Sequence, residues 1–404
     1  MKISAQIAAA AALSLALAGC ASSVGSDGGE GGTLTLGFAH VVGEDSALGE
    51  AAKAMVAAIE EEYDGEVEAE YYWTGALAGG AELLHAVGDG RTELANSPAA
   101  YSANELPTAT WTDTLPALAG PAPFATAMAG TAAHTQLFRD AAITEEYAEM
   151  GVTPLGVLIP DYFYMVCNTP VESVEDAEGL QVRAGSPTHS RELEALGMTP
   201  VSIEWGETYD ALSRGTIDCS LTSLSGAVDL GLYENAKHVA MVPFAPTVLP
   251  VLMNTDALES LDPEMQEFMR TEAVSAYLRG YMKAGITENQ ELYAEGGVLA
   301  PGGEVAVTQP NDLIAELEDF RAEELAKLPE SAPESVADPD AVIEDYTAHI
   351  ETWRTLFSDL SGIPAEGYDT PEATLEGITS VSDPDTLVGG FMDEFAAEAL
   401  TPAD

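Results

Sequence analysis

Hydrophobic and polar residues alternate over Thr33–Ala39, where Leu34, Leu36 and Phe38 fall on one face, and again over Val67–Trp73. Between them, Ser46–Tyr63 carries Leu48, Ala51, Ala52, Met55 and Ile59 at helical spacing. A period of two predicts strands and a period near 3.6 predicts a helix. Gly75–Gly80 supplies a turn, Ala81–Val87 a second helix and Thr92–Ser97 a third strand. The resulting β-α-β-α-β order predicts a parallel sheet with ligand sites outside the strand C-termini. Those ends are Phe38–His40, Tyr72–Thr74 and Asn96–Pro98, which makes His40 and Ser97 candidate ligand contacts.

A proline-rich stretch, Pro107–Phe124, precedes helical periodicity over Thr126–Met150. Strands are predicted at Thr153–Ile159 and Tyr162–Asn168. A second α/β set follows: strand Leu180–Ala184, helix Thr188–Leu196, strand Thr199–Ile203, helix Glu207–Ser213 and strand Ile217–Thr222. Val239–Pro243 and Val248–Asn254 add strands, and a long helix is predicted over Pro263–Glu295. Helical patterns recur over Asn311–Lys327 and Ala341–Leu360, with Pro329–Pro339 as a loop between them. Two α/β units, the second entered and left by chain that also serves the first, predict an α/β two-lobed, periplasmic-binding-protein-like fold. A ligand cleft lies between the lobes and the long helix spans the hinge. Lobe 1 takes about residues 33–160 plus returning segments, and lobe 2 about 161–250 plus helices. Residues 361–404 form an acidic extension in which Phe391–Leu400 reads as a short docking helix.

The N-terminus has Lys2, an apolar run from Ile7 to Ala18 and the ending Leu17-Ala18-Gly19-Cys20. A basic start, a short apolar segment and small residues make a secretory signal, since about 12 apolar residues fall short of the roughly 20 that span a bilayer. The ending resembles a bacterial lipobox, which implies a signal over 1–20, lipidation of Cys20 and a Ser/Gly-rich tether over 21–32. The expected location is the outer face of the cytoplasmic membrane.

Acidic residues number 68 against 14 basic ones, for a net charge of −54. Phosphate backbones need a basic patch, which excludes nucleic acid as a partner and argues against direct docking on anionic lipid. Apolar content of 46% excludes disorder as the explanation. The charge instead fits a surface tuned to high salt, where screening acts within a few Å. Cys167 and Cys219 remain after Cys20. In an exported protein they either pair or stay as buried thiols.

Enzyme signatures are missing: no Gly-x-Ser-x-Gly, no His-Glu-x-x-His, no P-loop and no Gly-x-Gly-x-x-Gly. Six histidines lack ligand spacing, so neither a metal nor a cofactor is expected. Scarcity makes the basic residues informative. Arg183 closes the strand of Gly179-Leu180-Gln181-Val182-Arg183 beside the Gly185-Ser186-Pro187 turn, where a guanidinium points at the cleft and offers a rigid fork to a carboxylate. The competing reading is a structural ion pair with one of the many acids.

Five segments in order carry a family resemblance. They are Trp73-Thr74-Gly75-Ala76-Leu77-Ala78-Gly79, Gly179-Leu180-Gln181-Val182-Arg183, Ala195-Leu196-Gly197-Met198-Thr199-Pro200-Val201, Glu207-Thr208-Tyr209-Asp210-Ala211-Leu212-Ser213-Arg214-Gly215-Thr216-Ile217-Asp218, and Asn254 through Glu264. Together they resemble the DctP-like solute-binding proteins of tripartite ATP-independent periplasmic (TRAP) transporters, over about Leu34–Leu360. The resemblance implies a closing cleft, no catalysis, and delivery of a small organic anion to membrane permease subunits. It implies that Arg183 pairs with the ligand carboxylate and that Thr222 stands where an asparagine commonly contacts ligand. Tyr164 falls where sialic-acid binders carry a second arginine, and Phe244 where a histidine or polar residue is common. Arg183 with Trp73, Tyr164, Phe244 and Phe163 points to a monocarboxylate with an apolar or aromatic body. An ABC-type importer, a sensory ligand-binding module and a secreted carboxylate-dependent hydrolase are the alternatives.

Overall fold

A computed structural model describes residues 32–400 of the chain. The signal, tether and Cys20 expected over 1–31 lie outside the described residues, apart from Gly32. Among the described residues eleven strands run in chain order: β1 Thr33–Ala39, β2 Glu66–Tyr72, β3 Leu94–Asn96, β4 Val152–Leu158, β5 Phe163–Cys167, β6 Gln181–Ala184, β7 Thr199–Ser202, β8 Cys219–Thr222, β9 His238–Phe244, β10 Leu249–Asn254 and β11 Ala306–Thr308. They form two sheets, ordered β2-β1-β3-β10-β4 and β11-β9-β5-β8-β6-β7. The first centres one lobe and the second the other.

Chain passes between the sheets at Ile159–Tyr162, joining β4 to β5, and at Ala245–Val248, joining β9 to β10. A third passage runs from Thr255 through the helix Val274–Tyr293 to β11. The β1, β2 and β3 strands are parallel as the β-α-β-α-β pattern requires. The returning β10 lies antiparallel between β3 and β4, so the sheet is mixed. The second sheet is mixed for the same reason: β5 runs antiparallel to both β8 and β9, while β6 is parallel to β7 and β8.

Helix Ala47–Glu62 starts where the Ser46 side chain accepts from the Gly49 amide, and it buries Ala51, Ala52, Met55 and Ile59. It packs on the helix Val274–Tyr293. At Gly280 a Cβ would lie 3.0 Å from the Ala54 Cβ, so only glycine lets the two helices approach this closely. The expected single helix over Pro263–Glu295 contains a π-helical turn at Met269–Ala273. The Thr126–Met150 pattern is likewise broken, into Thr126–Gly130, Thr131–Leu137 and Ala141–Glu149. Within the proline-rich stretch, Pro107 occupies the first turn of a short helix, a position where proline's missing amide costs nothing.

The extension folds onto the body as two helices, Pro371–Ser380 and Pro384–Glu398, where one short helix was expected. Phe391 and Phe395 pack on Trp353, with ring centroids 5.6 and 6.2 Å away. Arg279 pairs with Asp393 and Lys283 with Asp385. The extension thereby adds to the core that also holds both flanks of the Val274–Tyr293 helix.

Cys167 and Cys219 are register partners on β5 and β8 and are joined by a disulfide. Among the described residues no helix is long and apolar enough to cross a membrane.

Asp113 is buried, its Oδ1 has no partner, and desolvation pushes its carboxyl up to about 8, with Arg191 pulling weakly the other way. The folded chain therefore keeps this proton where the unfolded chain, with a value near 3.8, has lost it. Between those two values the unfolded state binds fewer protons, so stability falls as pH rises. Asp113→Asn should match the parent near pH 4 and exceed it at pH 8, as read by urea unfolding. An identical pH dependence in both proteins would refute this.

Candidate functional site

A cavity of about 100 Å³ lies between the two lobes. Lobe 1 contributes His40 from the end of β1, Leu48 and Leu83 from helices, Asn96 from the end of β3, and Tyr101. Lobe 2 contributes Phe163 at the start of β5, Arg183 near the end of β6, Trp205, and Ser223, Ser225, Gly226 and Asp229 around the helix Leu224–Asp229. Pro160 and Thr247 come from the passages between sheets, and Tyr281 from the long helix. The strand ends converge here because parallel strands aim their C-termini at one edge.

Arg183 is 2% exposed. Its Nε donates to the Ile203 carbonyl at 3.1 Å, and its Nη1 lies 3.5 Å from the Leu221 carbonyl. Its Cζ sits 5.6 Å from the centroid of the Trp205 ring. Gly226 permits that stacking, because a Cβ there would lie 2.7 Å from both the Trp205 ring and the Thr222 Oγ1. Burial lowers the Arg183 pKa, and the Tyr101 hydroxyl opposes that shift. A guanidinium keeps its proton under such shifts. No ion pair among the described residues includes Arg183. A desolvated cation held by carbonyls and a ring, but by no carboxylate, is electrostatically unmatched.

His40 is buried between Phe38 and Trp73, its ring centroid 4.4 and 5.2 Å from theirs. Desolvation lowers its pKa to about 3, so the imidazole is neutral at physiological pH. Its Nε2 has no partner, which leaves one hydrogen-bonding atom for a ligand. Asn96 is fixed by donating to the Pro250 carbonyl and accepting from the Tyr277 hydroxyl.

The cavity thus brings together Arg183, His40 and Phe163 of the residues singled out from sequence. Trp73 does not line it; it backs His40 and stacks in turn on Tyr71. Thr222 is buried beneath Gly226, its Oγ1 unpartnered, because the helix beginning at Leu224 folds over it. Tyr164 faces a smaller adjoining cavity of about 30 Å³ beside Asp161 and Tyr281, large enough for a water molecule. Phe244 is enclosed in the lobe 2 core. Ser97 is buried with a free hydroxyl next to the lining residues Asn96 and Pro98. Sequence reading missed Tyr101, Trp205, Asp229 and Tyr281, which come from four separate segments. Among the described residues no group of three His, Cys, Asp or Glu side chains could hold a metal ion.

The family model for "bacterial extracellular solute-binding protein, family 7" (DctP) matches residues 38–323. The ectoine-binding periplasmic protein TeaA of Halomonas elongata is 27% identical over 169 residues, 41% of this chain and 48% of TeaA. The 2,3-diketo-L-gulonate-binding periplasmic protein YiaO of Escherichia coli is 25% identical over 31% of this chain and 38% of YiaO. The chain spans half or less of the length of these curated relatives. Among solved structures, TeaA of the TeaABC TRAP transporter superposes with a TM-score of 0.63 at 20% identity, covering 79% of this chain and 99% of TeaA. The sugar acid binding protein DctPAm of Advenella mimigardefordensis, bound to galactonate, gives 0.65 at 14% identity over 80% of this chain and 99% of its own. At such identities these superpositions establish the shared two-lobed fold. With the family model covering most of the folded body, this chain belongs to the DctP family of bacterial extracellular solute-binding proteins.

Proposed function

We propose that this protein captures a small organic acid outside the cytoplasm and hands it to a TRAP-type permease, binding without turnover. The observation that carries this reading is Arg183, a buried cation with no carboxylate partner among the described residues, facing the cavity between the lobes. Its guanidinium would take the ligand carboxylate in a fork, and the neutral His40 would add one hydrogen bond. Phe163, Trp205 and Tyr281 supply apolar walls, which favour a monocarboxylate with an apolar or aromatic body. Relatives bind acids of varied type, galactonate in DctPAm among them. Lobe closure about the passages between sheets would present the loaded form to the permease. Lipidation of Cys20 would hold the domain at the outer face of the cytoplasmic membrane.

The test is ligand-dependent melting against a panel of carboxylic acids. At a hundred times its Kd a true ligand adds about 2.7 kcal/mol of stability by mass action. A panel of small monocarboxylates that leaves the melting temperature unmoved would refute the reading.

A further inference from the structure

The cavity holds a second charged group that a simple anion does not need. Asp229 lines it at the far end of the helix Leu224–Asp229, while Ser223, Ser225 and Gly226 line it at the near end, where a Cβ on Gly226 would strike the Trp205 ring that stacks on Arg183. A rise of about 1.5 Å per residue places Asp229 roughly 9 Å along from Ser223. No hydrogen bond or ion pair among the described residues engages the Asp229 carboxylate. Desolvation raises its pKa to about 6, although the residue is exposed to solvent. The carboxyl of its neighbour Glu288, on the long helix, is raised to about 7 by desolvation and by the Asp229 charge. Tyr281 lines the same cavity.

We infer that the preferred ligand is a small zwitterion, its carboxylate on Arg183 and an ammonium or amidinium group toward Asp229. This rests on the carboxylate-binding reading above. A lone anion would satisfy Arg183 and be repelled from Asp229; a zwitterion satisfies both groups, and Tyr281 offers a ring face to its cationic end.

The experiment is calorimetric titration of the full chain with three size-matched pairs: proline and cyclopentanecarboxylate, nipecotate and cyclohexanecarboxylate, and β-alanine and propionate. In at least one pair the zwitterion should bind at least about tenfold tighter than its anion, as expected for one added charge-assisted contact. Asp229→Asn should erase that preference while leaving the anion's affinity equal or improved, with the ligand-free melting temperature unchanged. Anions binding as well as or better than zwitterions, or a preference that survives Asp229→Asn, would overturn this inference and leave the carboxylate reading standing. Binding of neither member of any pair would overturn both.

Discussion

Arg183→Ala is expected to weaken carboxylate binding by about 100-fold or more. Truncating one member of a desolvated charge pair costs roughly 2–5 kcal/mol, much of it from stranding the other charge, and 1.4 kcal/mol is tenfold in Kd. The same change removes the donor to the Ile203 carbonyl, so a stability loss of about 1 kcal/mol should accompany it. Titration well below the melting temperature separates the two effects. Arg183→Lys is the informative companion: it keeps a charge but loses the planar fork and the stacking on Trp205, and should recover only part of the affinity. Unchanged affinity in Arg183→Ala would take this residue out of the site.

Replacing Cys167 and Cys219 together with alanine is expected to cost about 4 kcal/mol by the chain-entropy model, since the bond closes a separation of 52 residues. In a chain of this size that lowers the melting temperature by about 5 °C, measurable by calorimetry at fixed salt. Ligand affinity should hold. The bond ties the start of β8 to the end of β5, whereas the cavity meets the opposite ends of these strands, at Ser223 and Phe163. A variant as stable as the parent would show that the surrounding lobe 2 core, not the covalent link, holds these strands in register.

Much of this architecture is written locally. The β1–β3 unit was legible because alternation and helical spacing follow one another without interruption, and Arg183 stood out because cations are scarce in so acidic a chain. The extension's two helices carry readable starts that periodicity alone overlooks. Thr370-Pro371 and Asp383-Pro384 each pair a capping side chain with proline in the first turn, as Ser186-Pro187 and Asp262-Pro263 do. The aromatic candidates fared differently. Phe163 and Phe244 are register partners on neighbouring strands, yet one reaches the cavity and the other is sealed in the core.

By itself, the sequence determined the kind of most elements, the two-lobed order and the rare guanidinium at a strand end, because these depend on neighbours within a few residues. Tertiary structure alone decided that β10 returns antiparallel beside β3, that the helix Leu224–Asp229 covers Thr222, and that Tyr101, Trp205, Asp229 and Tyr281 meet around Arg183. Those outcomes depend on which surfaces exclude water together, and contacts between residues far apart in the chain leave no local pattern to read.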